Sequence, residues 1–305
     1  MRKLLLIFTA VFAVVSCQNT ENSSGEVADE KIKVVCTTSI MTDWMEELLP
    51  ESFEVVSLLN KGIDPHVYKP SKRDLDVLRS ADVIVYHGVH LEGKIIDVLQ
   101  KIEGKTIIDA AGNVPQDWII SDPNFPASQD PHYWFDTDLV SFIIGDVAAK
   151  MAAQYPNEGE AIRANMMRYQ SEIAAAKDSV QLMIDAIPED QRTVVTTHDA
   201  LSYFARTFGL RVKTLQGAST VSDFGLREVT DLVDFICNEN VPAIFLENIV
   251  SPQAMESVQR GCVEKGCPVE LGPELLSDSL GNEEDQDTYL EMLVFNAKLL
   301  VKYLG

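Results

Sequence analysis

The sequence predicts an α/β protein of two lobes, each built on a mainly parallel sheet, joined by one long rigid connecting helix with a cleft between the lobes. Three observations carry this. Short apolar, β-branched runs alternate with helical stretches over residues 32–109, and the alternation starts again after Pro188. Between the two blocks, residues 158–187 hold no glycine after Gly159 and no proline. There Ile162, Met166, Tyr169, Ile173, Ala176, Val180, Ile184 and Ile187 recur at steps of three and four, the spacing of one helix face. Finally, 305 residues with 46% hydrophobic content exceed one ordinary core and suffice for two.

Taken in order, Arg2 and Lys3 precede an apolar run at residues 4–15. That run is too short to span a bilayer, so residues 1–16 read as a secretory signal. The ending Val14-Val15-Ser16-Cys17 resembles a bacterial lipobox. The resemblance implies cleavage before Cys17 and a lipid on its sulfur and new amine; an uncleaved anchor is the other reading. Residues 17–31 are polar, small and acidic, a tether with nothing to bury.

The N-terminal lobe, residues 32–155, has strands expected at 32–36, 53–59, 82–86 and 106–109. Helices are expected at 40–49, from the capping box Ser71-Lys72-Arg73-Asp74, and at 91–101. Residues 115–131 form a loop rich in Pro, Asp and Ser. The connecting helix, residues 156–187, runs for roughly 45 Å, although a long surface helix would show the same stripe. In the C-terminal lobe, residues 188–305, strands fall at 193–197, 211–215, 243–247 and 268–271. Helices there fall at 200–208, 226–238, 252–264 and 289–303.

Loss of residues 1–16 removes Arg2 and Lys3 and no acid, taking the net charge from −22 to −24. A polyanion lacks the basic patches that carry nucleic-acid affinity, so no nucleic-acid partner is expected. Of the cysteines after Cys17, Cys36 reads as a buried thiol and Cys237 falls in a helical stretch. Cys262 and Cys267 are close enough to bridge, and spacing alone does not decide it. No Cys-x-x-Cys pair suggests a thiolate zinc site.

The chain has 5 histidines, and two share one setting: Asp64-Pro65-His66-Val67-Tyr68 and Asp130-Pro131-His132-Tyr133-Trp134. Proline fixes φ and forces the preceding aspartate to be extended, so each tripeptide offers its imidazole from a stiff loop. Stiffly held imidazoles suit a metal site. His198 ends a strand of the second lobe, and ligands of open parallel sheets sit beyond the carboxyl ends of strands. His87, at a strand end, reads as a structural or supporting group. His90, at a helix start, reads as a cap. Glu247-Asn248, at another strand end, is placed to hydrogen-bond a ligand imidazole or to form a plain surface loop. Residues 282–287 are acidic without the features of a calcium loop and read as a solvated turn.

Several strings together resemble one family. Asp64-Pro65-His66-x-Tyr68-Lys69-Pro70, Gly88-Val89-His90-Leu91-Glu92, the second Asp-Pro-His and His198-Asp199-Ala200-x-x-Tyr203-Phe204-Ala205 are among them. So are Gln216-Gly217-Ala218-Ser219-Thr220 and Ser277-Asp278-Ser279-Leu280-Gly281, with Thr288-Tyr289-Leu290-Glu291-Met292 closest to the TroA type. These resemble the cluster A-I solute-binding proteins of bacterial zinc and manganese ABC importers, over residues 32–304. The resemblance implies metal ligands at His66, His132, His198 and Asp278, the last of which spacing does not single out. It also implies two α/β domains joined by a rigid helix with the metal between them. Three imidazoles and one carboxylate suit Zn²⁺, with Mn²⁺ and Fe²⁺ acceptable. Residues 115–129 lack the His-rich loop of many zinc-dedicated members, and His198 replaces the Glu of many manganese-dedicated ones, which leaves the two metals open.

The function this implies is a lipid-anchored, exported receptor that delivers a divalent metal to an ABC permease with its ATPase. The membrane is reached through Cys17, on the periplasmic or extracellular face. Small domain movement is expected, with Asp278, on a loop, the first ligand to let go. A metal-dependent hydrolase would need an open coordination position and a general base, and no His-Glu-x-x-His is present; no enzyme is expected. A surface adhesin is the remaining alternative.

Overall fold

A computed structural model describes residues 31–121, 129–221 and 224–305. The signal segment and Cys17 lie outside the described residues, as does part of the loop expected at 115–131. In the first lobe, β1 (Ile32–Cys36) is flanked by β2 (Phe53–Ser57) and β3 (Val83–Tyr86), with β4 (Thr106–Asp109) beyond β3. All of these pairs are parallel. The connections run through α1 (Ser39–Leu48), α2 (Lys72–Ser80) and α3 (Lys94–Leu99). The expected capping box at Ser71 and Asp74 is present. In the second lobe β5 (Thr193–Thr196) pairs in parallel with β6 (Arg211–Thr214), and β7 (Ala243–Glu247) with β8 (Glu270–Leu275). β5 lies beside β7.

The alternation therefore holds in both lobes. Parallel neighbours follow from helical crossovers, which return each strand to the same end of the sheet. Every loop after a strand's carboxyl end opens on one edge. His66, His87, His132, His198, Glu247 and Asp278 are all carried there.

One helix has no counterpart in the sequence reading. α4 (Thr137–Gln154) is capped by Asp136, which accepts the N–H groups of Asp138 and Leu139. It buries Leu139, Val140, Ile143, Ile144, Val147, Ala148, Met151 and Ala152. These recur as adjacent pairs four residues apart, the spacing of one helix face, so the signal for this helix was present in the sequence.

The long helix α5 runs from Gly159 to Ile184, 26 residues, somewhat shorter than the 156–187 expected. It packs on α1 and α4 of the first lobe, and on α6 (Ser202–Phe208) and α9 (Tyr289–Leu304) of the second. Tyr169 on its inner face donates to Asp43 of α1 at 3.1 Å, and the same Asp43 oxygen accepts the N–H of Tyr289 at the start of α9. One hydrophobic core runs continuously from Val34 and Trp44 through Tyr169 and Ile173 to Phe204, Leu275 and Met292. The lobes thus share a core, and each keeps a smaller cluster on its outer side.

Cys36 is buried and free, as expected. The disulfide, however, joins Cys237 to Cys267, not Cys262 to Cys267. Cys262 points into the lobe's own core and is fully buried, whereas Cys267 lies past the end of its helix and faces Cys237 of α7 (Leu226–Glu239). No helix among the described residues is long and apolar enough to cross a membrane.

Candidate metal centre

His66 sits in the loop after β2. Pro65 stiffens it, and Asp64 Oδ1 accepts the His66 N–H at 2.8 Å. Its carbonyl rests against Gly93, where a Cβ would stand only 2.5 Å from the His66 oxygen. Gly93 also has φ +43°, so the contact depends on glycine twice over. His132 is held by the same device, with Asp130 Oδ1 accepting its N–H at 2.9 Å. His198 follows β5 by two residues, and Asp278 follows β8.

These four residues converge. Their donor atoms all lie within 4.8 Å of one another, and they are the four sequence-predicted ligands. His66 Nε2 is 3.2 Å from His132 Nε2, and His198 Nε2 is 3.4 Å from it. The Asp278 carboxylate oxygens stand 3.1, 3.3 and 3.5 Å from the Nε2 atoms of His66, His132 and His198. Four ligands on bonds of about 2.0–2.1 Å define a tetrahedron whose edge is about 3.3 Å. The two imidazole separations and the two to Asp278 Oδ2, 3.1 Å from His66 and 3.5 Å from His198, match that edge.

Burial sharpens the point. His132 and His198 are 0% exposed, Asp278 1% and His66 6%. Both Asp278 oxygens are buried, and what faces them is the three imidazole Nε2 atoms. A buried carboxylate needs a counter-charge, and either protons on those imidazoles or a cation held among them supplies it.

The imidazoles are aimed from behind. His132 Nδ1 is 2.7 Å from Asp130 Oδ1. His198 Nδ1 pairs with Glu247 Oε2, while Glu247 Oε1 accepts the N–H groups of Thr197 and His198 at 2.8 and 2.9 Å. A carboxylate on Nδ1 fixes the tautomer and leaves Nε2 free to bind. Burial opposes a charged His132, but Asp278 and then Asp130 outweigh it and raise its pKa to about 9. His198 is likewise opposed by burial and pushed well above the usual range by Glu247 and Asp278. Burial alone would raise Asp278, yet His132 and His198 hold it well below the ordinary carboxylate range.

The matching family model is that of ZnuA, zinc-uptake complex component A, periplasmic, and it spans residues 34–303. The chain belongs to this family. It is 37% identical to the manganese-binding lipoprotein MntA of Bacillus subtilis, over 98% of this chain and 97% of that one. It is 30% identical to the zinc-binding protein TroA of Treponema pallidum, over 93% and 92% of the two chains. The solved structure of the periplasmic zinc-binding protein TroA superposes with a TM-score of 0.87 at 30% identity, covering 90% of this chain and 99% of that one. This is the two-lobed, TroA-like fold that the sequence predicts.

In this member of the ZnuA family the remaining histidines stay outside the cluster. His87 is fully buried, with Nε2 2.8 Å from Thr38 Oγ1 and Nδ1 2.9 Å from the Tyr133 hydroxyl. Burial holds it neutral, with its pKa lowered to about 3. Its ring packs on Trp134, which in turn packs on His132, so it supports the centre as expected. His90 is exposed in a left-handed turn at φ +64° and does not cap, since α3 begins after Gly93 with no side-chain cap bond. The helix starts later than periodicity indicated, and that leaves His90 behind.

Glu247 and Asn248 divide their roles. Glu247 meets an imidazole, whereas Asn248 braces the Asp278 loop by donating to Ser279 O at 3.0 Å and accepting from Ser277 N at 3.1 Å. Trp134 Nε1 donates to Ser277 O at 2.9 Å, so the second motif's aromatic also holds that loop. Sequence reasoning missed Asp130 as the partner of His132 Nδ1. The available signal was an aspartate two residues before a histidine, within reach of both its N–H and its ring. Residues 282–285 are exposed, in keeping with a solvated turn.

Proposed function

We propose that the chain is an exported receptor that captures a divalent cation, Zn²⁺ or Mn²⁺, between its lobes and hands it to an ABC permease driven by its ATPase. His66, His132, His198 and Asp278 are the ligands in this reading. The convergence of one buried carboxylate and three Nε2 atoms, with Asp278 oxygens 3.1, 3.3 and 3.5 Å from them, carries it. The printed names of the relatives, a manganese-binding and a zinc-binding protein, support the cargo class and divide on the metal.

Four protein donors leave no open position for an activated water, which favours binding over hydrolysis, so the chain is not an enzyme. Residues 32–155 and 188–305 act as the lobes and 156–187 as the connecting helix, whose shared core limits their relative movement. Cleavage before Cys17 and lipidation of its sulfur anchor the receptor on the periplasmic or extracellular face of the membrane. The relatives' designation as lipoproteins supports that placement. Release begins at His66. It is the most exposed of the four ligands, and its aspartate bonds across the cleft, with Thr220 donating to Asp64 Oδ2 at 2.7 Å. Asp278, braced by Asn248 and Trp134 on either side, stays behind.

Competitive calorimetric titration of the metal-stripped mature chain with Zn²⁺ and Mn²⁺ tests this. One tight site, lost in His198→Ala, is expected. A chain that binds neither metal, or a variant that binds as well as the parent, would refute it. The adhesin alternative would then gain weight.

A further inference from the structure

The described residues hold one further cluster of metal-ligating side chains. The sulfurs of Cys237, Cys262 and Cys267 all lie within 4.8 Å of one another in the second lobe. Cys237 is on the last turn of α7, and Cys262 is near the end of α8 (Gln253–Lys265). These helices approach closely because residue 261 is glycine, where a Cβ would stand 2.9 Å from the Val233 side chain, one turn before Cys237. α8 then ends at Gly266 in the left-handed region, and the Cys267 N–H returns to Cys262 O at 3.0 Å. That turn folds Cys267 back beside both partners. Cys237 and Cys267 are half-buried and disulfide-bonded, while Cys262 is a fully buried thiol.

Every donor in the cluster is sulfur, whereas the inter-lobe centre has none. Burial raises the Cys262 thiol pKa, and the ammonium of Lys265 works in the opposite direction. A trigonal site with metal–sulfur bonds of about 2.3 Å places its sulfurs roughly 4.0 Å apart; all three lie within 4.8 Å, and reduction frees the bonded pair to part to that distance. Three thiolates without nitrogen or oxygen select soft ions.

We propose that the reduced cluster is a second cation site, a three-thiolate centre for a soft monovalent ion such as Cu(I), which the Cys237–Cys267 disulfide closes. A dithiol opens it by supplying two electrons and two protons, leaving as its own disulfide and yielding two cysteine thiols. Each thiol that becomes a ligand then gives up its proton to solvent. Oxidation of the pair takes away two of the three ligands. The site is independent of the inter-lobe centre and stands whether or not that centre carries Zn²⁺ or Mn²⁺.

The test is an anaerobic titration of the mature chain with Cu(I) against bicinchoninate, before and after reduction by a phosphine. The reduced chain should withdraw Cu(I) and show sulfur-to-copper charge-transfer absorption in the ultraviolet. The chain with its disulfide intact should bind roughly a hundredfold more weakly or worse, without that band, having lost two ligands. Reduced Cys262→Ser should show the same weakening while its zinc affinity at the inter-lobe centre is unchanged. Cys237→Ser, at a half-buried position, serves as the second variant should Cys262→Ser not fold. Equal Cu(I) uptake by the reduced parent and the serine variants would overturn the proposal, as would a reduced chain that holds no Cu(I) against the competitor.

Discussion

In both Asp64-Pro65-His66 and Asp130-Pro131-His132 the aspartate Oδ1 accepts the N–H of the histidine two residues on, at 2.8 and 2.9 Å. The two aspartates then diverge. Asp130 Oδ1 also meets His132 Nδ1, inside its own lobe, at a site with no exposure. Asp64 turns its other oxygen across the cleft to Thr220. In the proposed centre, one motif therefore fixes its histidine's ring, while the other ties its histidine's loop to the opposite lobe. A repeated sequence has been put to two uses, and the difference lies in what each aspartate does with its second hydrogen bond.

The largest effects should come from the ligands themselves. His132→Ala should weaken zinc binding by more than the roughly 10–100-fold that loss of a partner behind a ligand costs. His66→Ala should weaken it less than His132→Ala does. Equal losses by calorimetry would break the distinction between a fixed and a releasable ligand.

Next come the carboxylates behind the rings. Asp130→Asn and Glu247→Gln should each cost roughly 10–100-fold in affinity, whereas Asp64→Asn should fall below that range. If Asp64→Asn matched Asp130→Asn, orientation of the ring would not be what separates the motifs. The smallest effect is expected from Thr220→Val, which removes one hydrogen bond worth about 1 kcal/mol. It should speed zinc release about fivefold in stopped-flow chelation while leaving the site's geometry intact. No change in rate would detach Asp64 from closure.

Protons should compete with the cation. With its pKa raised to about 9, His132 is protonated at pH 7 in the cation-free chain and must lose that proton to bind. Cation affinity should therefore rise with pH through about 9, with His198, raised likewise, adding to the rise. Calorimetry at pH 7 in buffers of different ionisation enthalpy should register the released protons. The sign for stability is opposite in the cation-free chain. A histidine raised above its unfolded value of about 6.5 contributes fully below that pH, and its contribution is lost as pH rises through about 9.

Much of this was legible in the chain. Strand and helix alternation is a local signal, and it located β1, β3, β5 and β7 because largely buried parallel strands read as apolar runs, whereas β6 is exposed or half-buried throughout and β8 runs Glu270–Leu275 instead of 268–271. His66 and His132 announced themselves by duplication, and His198 by its place at a strand tip. Asp278 did not, since one acid among 47 carries no spacing signal, and it was reached only through family resemblance. Asp130 acts through a contact within its own tripeptide, whereas Glu247 meets His198 only once β5 and β7 lie side by side in the second lobe. The Cys237–Cys267 pairing is equally a product of helix packing, the partners standing 30 positions apart in sequence. α4 was legible too, since its buried apolar pairs recur every four residues from Leu139 to Ala152.

The most direct test is anomalous diffraction at the zinc absorption edge from crystals of the chain loaded with one equivalent of Zn²⁺. A single peak is expected about 2.0–2.2 Å from His66 Nε2, His132 Nε2, His198 Nε2 and an Asp278 oxygen. A peak elsewhere, or one reached by fewer than these four residues, would contradict the assignment of the inter-lobe centre.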